Sequence, residues 1–219
     1  MRGADLLVKT LSNAGVEVIF SLSGNQIMPV YDSCIDAGIR IVHTRHEGAA
    51  VYMAEAYAQL TGRIGVAMIT ATPGFASGLG PLYMATVAEN PILLLSGDSP
   101  VSQDGKGAFQ EFDQVAVSSP LTKFAKRIMS AADMGTDTAD AIRAAFTGRP
   151  GPVHLALPFD ALNNDAGDSP VPAADAFVPK AMPPSGDAIQ TIVDAVVAAD
   201  RPIIITGPSQ NRTRAQGAL

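Results

Sequence analysis

Short apolar runs alternate with amphipathic stretches through residues 1–160 of the chain. The apolar runs are rich in β-branched residues, which favours buried strands, whereas the stretches between them repeat apolar residues at three- and four-residue spacing, which favours helices packed on a sheet. The pattern predicts strands at 16–22, 39–42, 64–70, 92–96, 121–129 and 153–157. It predicts helices at 6–14, from 27 onward, at 49–61, at 73–89 and at 134–146.

This alternation, with short links, is typical of a parallel sheet with right-handed crossovers and helices on both faces. We therefore expect an α/β domain at 1–162, with three layers, doubly wound around a mostly parallel sheet. Residues 163–186 are rich in Asn, Asp, Ser, Ala and Pro, which predicts a linker and not a packed element. A helix at 187–199 and a strand at 203–206 then predict the start of a second, incomplete α/β domain at 187–219.

Composition narrows the possible partners and the compartment. The formal net charge is −6 and Lys and Arg are not clustered, so a nucleic-acid partner is not expected. The single cysteine, Cys34, excludes an internal disulfide and favours a reducing compartment. No apolar run approaches the ~18 residues of a membrane span, and Asp5 and Lys9 interrupt any signal-peptide core, so a cytoplasmic protein is predicted.

Spacing excludes several familiar catalytic sites. Pro100 stands where a P-loop needs glycine, Tyr83 where a dinucleotide fingerprint needs its third glycine, and Ala50 where a zinc protease helix needs its second histidine. Ser23 and Ser77 do not lie in a nucleophile elbow. The histidines are too scattered to predict a metal site: His43, His46 and His154.

Glu47 is the first candidate for chemistry, because it stands where a predicted strand gives way to a helix. Open parallel sheets bind their ligands at that edge. A simpler explanation is that an acidic residue in a first helical turn complements the helix dipole, for roughly 0.3–1 kcal/mol. The sequence around Glu47 therefore leaves both roles open.

Other loops at predicted strand ends form a joint pattern with Glu47. They contain Gly24 before a helix that begins with a proline, RHE followed by GAA and AEAYA, and Pro73-Gly74 before a long helix, followed by NPILLLSGD, FQEFDQ and GRPGPVHLALPFD. Residues 1–162 resemble the pyrimidine-binding domain of thiamine-diphosphate enzymes of the acetolactate synthase-like superfamily, which includes benzaldehyde lyase and oxalyl-CoA decarboxylase. The residues after 162 resemble the start of that family's middle domain.

The resemblance implies thiamine diphosphate as cofactor and Glu47 as the catalytic residue. In the family, this glutamate hydrogen-bonds the aminopyrimidine ring, whose nitrogen then removes the C2 proton of the thiazolium. Pro73, Gly74 and Ser77 are implied to face the pyrimidine at a helix N-terminus, although acetolactate synthases commonly have Asn where this chain has Ser77.

The substrate pocket is implied by two further loops. Gly24, Asn25 and Gln26 match the loop beside the reaction centre, where acetolactate synthases usually have Gly-Gly-Ala and benzaldehyde lyase has His in place of Gln26. Phe109 and Gln110 match a position that approaches the substrate pocket from a neighbouring subunit. The implied substrate is a small 2-oxo acid or aldehyde, and the implied assembly is a homodimer or homotetramer.

The family holds the diphosphate and Mg²⁺ with a Gly-Asp-Gly motif and a downstream Asn in a third domain. No such motif occurs in this chain, so Mg²⁺ is expected to bind in a domain absent from it, and the chain itself is predicted to hold no metal. Binding of FAD or another nucleotide by the middle domain stays open, although no residue of 187–219 supports it.

The function inferred from this resemblance is the N-terminal part of a carboligase or decarboxylase that acts on a 2-oxo acid. An aldehyde lyase or an oxalyl-CoA decarboxylase-like enzyme is the alternative within the family. A non-catalytic α/β binding module and a subunit of a split enzyme are the alternatives outside that assignment.

Overall fold

The computed structural model describes residues 1–179 and 183–205. The strands are β1 Val18–Ser21, β2 Arg40–His43, β3 Gly65–Ile69, β4 Ile92–Asp98, β5 Phe124–Arg127 and β6 Val153–Pro158. The helices are α1 Gly3–Asn13, α2 Met28–Ala37, α3 Glu47–Thr61, α4 Gly74–Ser77, α5 Leu79–Val87, α6 Gln114–Ser118, α7 Met134–Phe146, α8 Phe159–Asn163 and α9 Gly186–Ala198. Short 3-10 helices lie between several of them.

Within the described residues, six strands form one sheet in the order β2-β1-β3-β4-β6-β5, and every pair is parallel. The predicted doubly wound α/β domain is therefore confirmed. Successive residues of a strand point to opposite faces, so β4 contributes Leu93 and Leu95 to one core and Ile92 and Leu94 to the other. Helices α1, α2 and α7 cover the first core, and α3 and α5 cover the second.

The helix α3 is set by its two ends. His46 is its N-cap, with extended backbone and an Nδ1 atom that accepts a hydrogen bond from Gly48 N at 3.0 Å. Gly62 ends it in the left-handed conformation, at φ 69°, which suits glycine. The helix lies so close to β3 that a Cβ at Gly65 would overlap the carbonyl oxygen of Ala54. Glu47 is the first helical residue, two residues before the predicted start.

Two element boundaries differ from the prediction because of local chemistry. The helix predicted at 73–89 is divided into α4 and α5 at Gly78. Pro81 lacks the N–H that would continue a helix across this point, whereas it is tolerated in the first turn of a new one. The strand predicted at 121–129 is reduced to β5, and α6 and a 3-10 helix at Ser119–Leu121 precede it. The other predicted strands of the domain and the helix at 187–199 are confirmed to within a few residues.

The first part of the predicted linker packs on the domain, contrary to the expectation of an unpacked segment. Ala166 is buried, and Val171 and Phe177 pack against the α1 and α7 core. Backbone carbonyls make the attachment, since Pro172 O accepts from Asn13 Nδ2 and Ala176 O from Arg143 Nη1, both at 3.0 Å. A composition poor in large apolar residues conceals this contact, because its hydrogen bonds use the backbone.

The second predicted domain is described only in part. The helix α9 begins at the N-cap Ser185, whose hydroxyl accepts from Ala188 N, and all of its residues are exposed. The strand predicted at 203–206 is not formed at residues 203–205, and residue 206 lies outside the described residues. A strand needs a neighbour to pair with, and within the described ranges no strand lies beside it. The division into domains stays a prediction.

Candidate functional site

The candidate site lies at the carboxyl edge of the sheet, where the direction of winding reverses. The chain passes from β1 to β2 on one side and then returns to place β3 on the other side of β1. Such a reversal separates the loops that leave the two middle strands and opens a crevice, which is where open α/β sheets bind ligands. The loops after β1, β2 and β3 carry Gly24, Glu47 and Gly74, respectively.

Glu47 and Gly74 meet at this crevice although they come from loops after different strands. Thr44 fixes the loop after β2, since its N–H donates to Ser21 O at 2.8 Å and its hydroxyl donates to His46 O at 3.0 Å. A Cβ at position 74 would lie 2.8 Å from Glu47 Oε1 and 2.7 Å from Thr70 Cγ2. A larger residue at position 74 would therefore displace the Glu47 carboxylate or the Thr70 side chain.

The Glu47 carboxylate is free to accept a ligand. Its residue is partly exposed, and in the described parts of the chain no group is recorded as its hydrogen-bond partner. By contrast, the carboxylate of Asp98, at the end of β4, forms an ion pair with Arg127. A carboxylate oxygen at a helix N-terminus, beside bare glycine backbone, can receive a hydrogen bond from a nitrogen of a flat ring.

The other residues predicted to contact the cofactor lie on α4. Pro73 is its N-cap and follows a cis peptide bond, and Gly74 is its first residue. Ser77 is its last residue and is exposed, so it does not stand at the helix N-terminus where the sequence placed it. Its carbonyl oxygen would lie 3.1 Å from a Cβ at Gly48, so α4 and the start of α3 are in close contact.

The predicted substrate-pocket residues form a second cluster beside the first. Gln26 is buried, and its amide receives a hydrogen bond from the Thr70 hydroxyl at 2.9 Å and donates one to Gln110 Oε1 at 2.6 Å. A Cβ at Gly24 would overlap the Thr70 side chain. Gln26 and Gln110 are 84 positions apart in the sequence, yet they form one hydrogen-bonded amide pair.

Asn25 and Phe109 are both exposed, and 79% of Phe109 is accessible to solvent. Neither makes a recorded contact with the Gln26 and Gln110 pair. Thr70 is a residue of the site that the sequence did not indicate, because threonine at the end of a strand is common. It touches the loops after β1 and β3 together.

The loop between β4 and α6, residues 99–113, is held from several sides. Arg127 bridges Asp98, at the end of β4, and Asp104 of the loop, with Nε 2.5 Å from Asp98 Oδ2 and Nη1 2.7 Å from Asp104 Oδ2. Burial raises the pKa of Asp98, and the hydrogen bond from Arg127 opposes that rise. Asp160 accepts from the N–H groups of Val101 and Ser102. This loop presents Gln110 at a left-handed φ of 62°.

Comparison with known proteins is consistent with this geometry. Residues 1–117 match the model of a family described as thiamine pyrophosphate enzyme, N-terminal TPP binding domain. The chain belongs to the thiamine pyrophosphate enzyme family. The matched residues include the three loops at the crevice and the Gln110 loop, and the predicted family is therefore confirmed.

Curated relatives of the chain include acetolactate synthases and 2-hydroxyacyl-CoA lyases. An acetolactate synthase large subunit of Mycobacterium tuberculosis is 32% identical over 100% of this chain and 40% of its own length. A catabolic acetolactate synthase of Raoultella terrigena is 35% identical over 94% of this chain and 36% of its own length. The 2-hydroxyacyl-CoA lyase 2 of Mus musculus is 40% identical over 73% of this chain and 25% of its own length. The chain therefore spans less than half the length of these relatives.

Thiamine diphosphate is the cofactor of this family, and the residues of the crevice fit its pyrimidine half. Gly74 lets the Glu47 carboxylate lie against the start of α4, and no group of the described residues hydrogen-bonds its oxygens, which are therefore available to the ring. Mg²⁺ is typical of the family and is bound by a different domain. Among residues 1–179 and 183–205, no group of three or more His, Cys, Asp or Glu is placed to hold a metal ion. In the same ranges no helix is long and apolar enough to cross a membrane.

Proposed function

We propose that the full-length protein is a thiamine-diphosphate-dependent enzyme that makes or breaks a carbon–carbon bond next to the carbonyl of a 2-oxo acid. The observation that carries the proposal is the free Glu47 carboxylate against Gly74 at the sheet's reversal point. A carboxylate that only complemented a helix dipole would need no glycine beside it. The closeness of Gly74 favours a role in binding a ring.

Each residue of the crevice has a distinct role in this proposal. Glu47 hydrogen-bonds a pyrimidine ring nitrogen and holds or moves the proton there, and Gly74 lets the carboxylate lie against the start of α4. When bound, thiamine diphosphate supplies the nucleophilic carbon and the electron sink of the reaction. Pro73 and Ser77 are proposed to line the ring's face from α4.

The amide pair favours a substrate rich in oxygen. Gln26 Oε1 accepts from Thr70 and Gln110 Oε1 accepts from Gln26, so this pairing leaves the NH₂ group of Gln110 unused and able to donate. Donors suit a carbonyl or carboxylate of a small 2-oxo acid. Gly24, Asn25 and Phe109 are proposed to complete the walls of this pocket.

A second candidate is cleavage of a 2-hydroxyacyl thioester, and the 40% identity to a protein named 2-hydroxyacyl-CoA lyase supports it. Assays of the full-length protein with a 2-oxo acid and with a 2-hydroxyacyl thioester, at equal cofactor saturation, separate the two. Turnover of the 2-oxo acid at least ten times faster supports the first candidate, and the reverse preference supports the second.

The first prediction from this proposal concerns residues 1–219 taken alone. They supply contacts for the pyrimidine half of the cofactor only, so we expect them to bind thiamine diphosphate with Mg²⁺ at best in the range of about 1 mM, or about −4 kcal/mol. Isothermal calorimetry measures this directly. Submicromolar binding would show that the chain holds the diphosphate as well, against the proposed division of the site.

The second prediction concerns self-association of the full-length protein. Helices α3 and α5 turn large apolar side chains to solvent on the same face, with Tyr52 at 50%, Tyr83 at 54% and Met84 at 47% exposure. Such a patch is typical of an interface. Light scattering at micromolar concentration should give a dimer or tetramer, and Met84→Asp should lower the mass.

The control for that experiment is Ile35→Asp. Ile35 is 79% exposed but lies on α2, over the opposite face of the sheet, so this charge should leave the mass unchanged. A wild-type protein that is monomeric and active would contradict the proposed assembly.

A further inference from the structure

His154 is a buried polar residue that the chemistry proposed above does not use. It is the second residue of β6 and is fully buried. Ser96 Oγ lies 2.7 Å from its Nε2, Ser118 Oγ lies 2.7 Å from its Nδ1, and its ring stacks on Phe75 with centroids 5.0 Å apart. Burial lowers the pKa of His154 to about 3, so the ring is neutral at physiological pH.

Hydrogen-bond accounting fixes which nitrogen carries the proton. Ser96 Oγ donates its one hydrogen to Gln114 Oε1 at 2.5 Å, so it must accept from His154 Nε2–H. Nδ1 then has no hydrogen and accepts from the Ser118 hydroxyl at 2.7 Å, a shorter distance than the 3.4 Å from that hydroxyl to Val115 O. Every polar atom of this buried group is satisfied, which makes it a rigid unit.

One side of this unit contacts both ends of residues 99–113, which we call the substrate loop. Gln114 Nε2 donates to Gly97 O at 2.8 Å and lies 3.3 Å from Asp98 Oδ1. Gly97 and Asp98 precede residues 99–113 and Gln114 follows them, so these bonds join the two ends of the loop. The loop's tip carries Gln110, which binds Gln26.

The other side of the unit contacts residues 74–78, which we call the cofactor loop. Phe75 is fully buried and directly follows Gly74 at the start of α4. The imidazole ring against Phe75 therefore sets the position of α4, and with it the distance between Gly74 and Glu47.

We propose that His154 is a positioning residue that fixes the cofactor loop through Phe75 and the substrate loop through Ser96 and Gln114. The importance of His154 for catalysis rests on the proposed function. Its mechanical part, the effect of His154 on the positions of the two loops, does not. A histidine that only filled the core would affect global stability and neither loop in particular.

Hydrogen exchange measured by mass spectrometry on the cofactor-free, full-length protein tests the mechanical part. Ser96→Ala removes the link to Gln114, whereas Ser118→Ala removes an equally buried hydroxyl from the other side of the ring. We expect exchange in residues 99–113 to rise at least tenfold in Ser96→Ala and less than threefold in Ser118→Ala. Equal rises in the two variants, or none in either, would overturn the proposal.

The link from His154 through Phe75 to the cofactor loop is tested by a pair of substitutions at His154. His154→Phe keeps a ring on Phe75, and His154→Leu removes it. Exchange at residues 74–78 should rise at least fivefold in the leucine variant relative to the phenylalanine variant. Equal exchange in the two would contradict a role for the stacked ring.

If these variants fail to fold, nitrogen-15 NMR of the wild-type protein, with the His154 ring assigned, decides the question. The His154 ring should remain in the neutral Nε2–H form from pH 5 to pH 8. A neutral His154 ring with its proton on Nδ1 would exclude the link through Ser96 to Gln114.

The catalytic part is tested on the loaded full-length enzyme. Ser96→Ala should raise the KM for substrate about fivefold or more and leave the C2-proton exchange of bound cofactor unchanged, whereas Ser118→Ala should change neither. If exchange rises in Ser96→Ala as expected but the wild-type protein does not bind the cofactor, the proposed function is wrong and the positioning role stands. If the wild-type enzyme is active but exchange does not rise in Ser96→Ala, the positioning role is wrong and the proposed function stands.

Discussion

Replacing Glu47 with glutamine is expected to lower turnover of the full-length enzyme by about 10²–10⁴-fold, because an amide cannot exchange the proton that a positioned carboxylate carries. The free energy of unfolding should change by no more than about 1 kcal/mol, since the substitution opens no cavity and buries no new charge. Steady-state kinetics and thermal unfolding of the same preparation measure both quantities.

Glu55→Gln is the matched control. Glu55 lies further along the same helix, and its carboxylate accepts a hydrogen bond from Asn90 Nδ2 at 2.5 Å, which glutamine can also accept. The chemical change is identical, but the site is different, so turnover should stay within about twofold, a change of less than about 0.5 kcal/mol in the barrier. Equal losses in the two variants would point to a general effect on α3.

Gly74→Ala is expected to lower turnover by about 10²-fold, the cost typical of displacing a catalytic group by about 1 Å. The new methyl group would lie 2.8 Å from Glu47 Oε1 and 2.7 Å from Thr70 Cγ2, so the carboxylate must move. The Glu47 carboxylate is at the end of a flexible side chain and can move without disturbing the backbone, so the protein should remain folded. Kinetics and cofactor titration are the measurements.

The control here is Gly80→Ala on α5. A Cβ at this position meets nothing within 4 Å, and alanine is favoured over glycine in a helix by up to about 1 kcal/mol. This variant should be as active as wild type and at least as stable. Full activity in Gly74→Ala would show that the closeness of residue 74 to Glu47 has no catalytic purpose.

The sequence predicted the fold well because the determining signals are local. Buried strands and amphipathic helices each show their period within about ten or fifteen residues. The change from strand to helix at Glu47 is therefore visible in the sequence. Local chemistry also explains the errors at boundaries, such as the division at Gly78, where Pro81 decides the result. The packing of residues 164–178 was missed because backbone carbonyls make much of the contact.

The site was predicted only as separate parts. Glu47, Gly74 and Gln110 each follow from motifs, but their contacts depend on the strand order, which places β3 next to β1. The pairing of Gln26 with Gln110 also depends on the shape of the loop that Arg127 holds. His154 was considered only as a metal ligand, and no local pattern indicates that Ser96, Ser118 and Gln114 surround it.

The central claim is that the Glu47 carboxylate, placed by Gly74 at the reversal point of the sheet, assists proton removal from the bound cofactor. The most direct test is the rate at which the C2 proton of thiamine diphosphate exchanges with deuterium, measured by NMR after rapid acid quench, in wild type and Glu47→Gln at matched cofactor saturation. A fall of about 10²-fold or more in the folded variant is predicted. An unchanged exchange rate would contradict the claim and leave Glu47 as a carboxylate that only begins a helix.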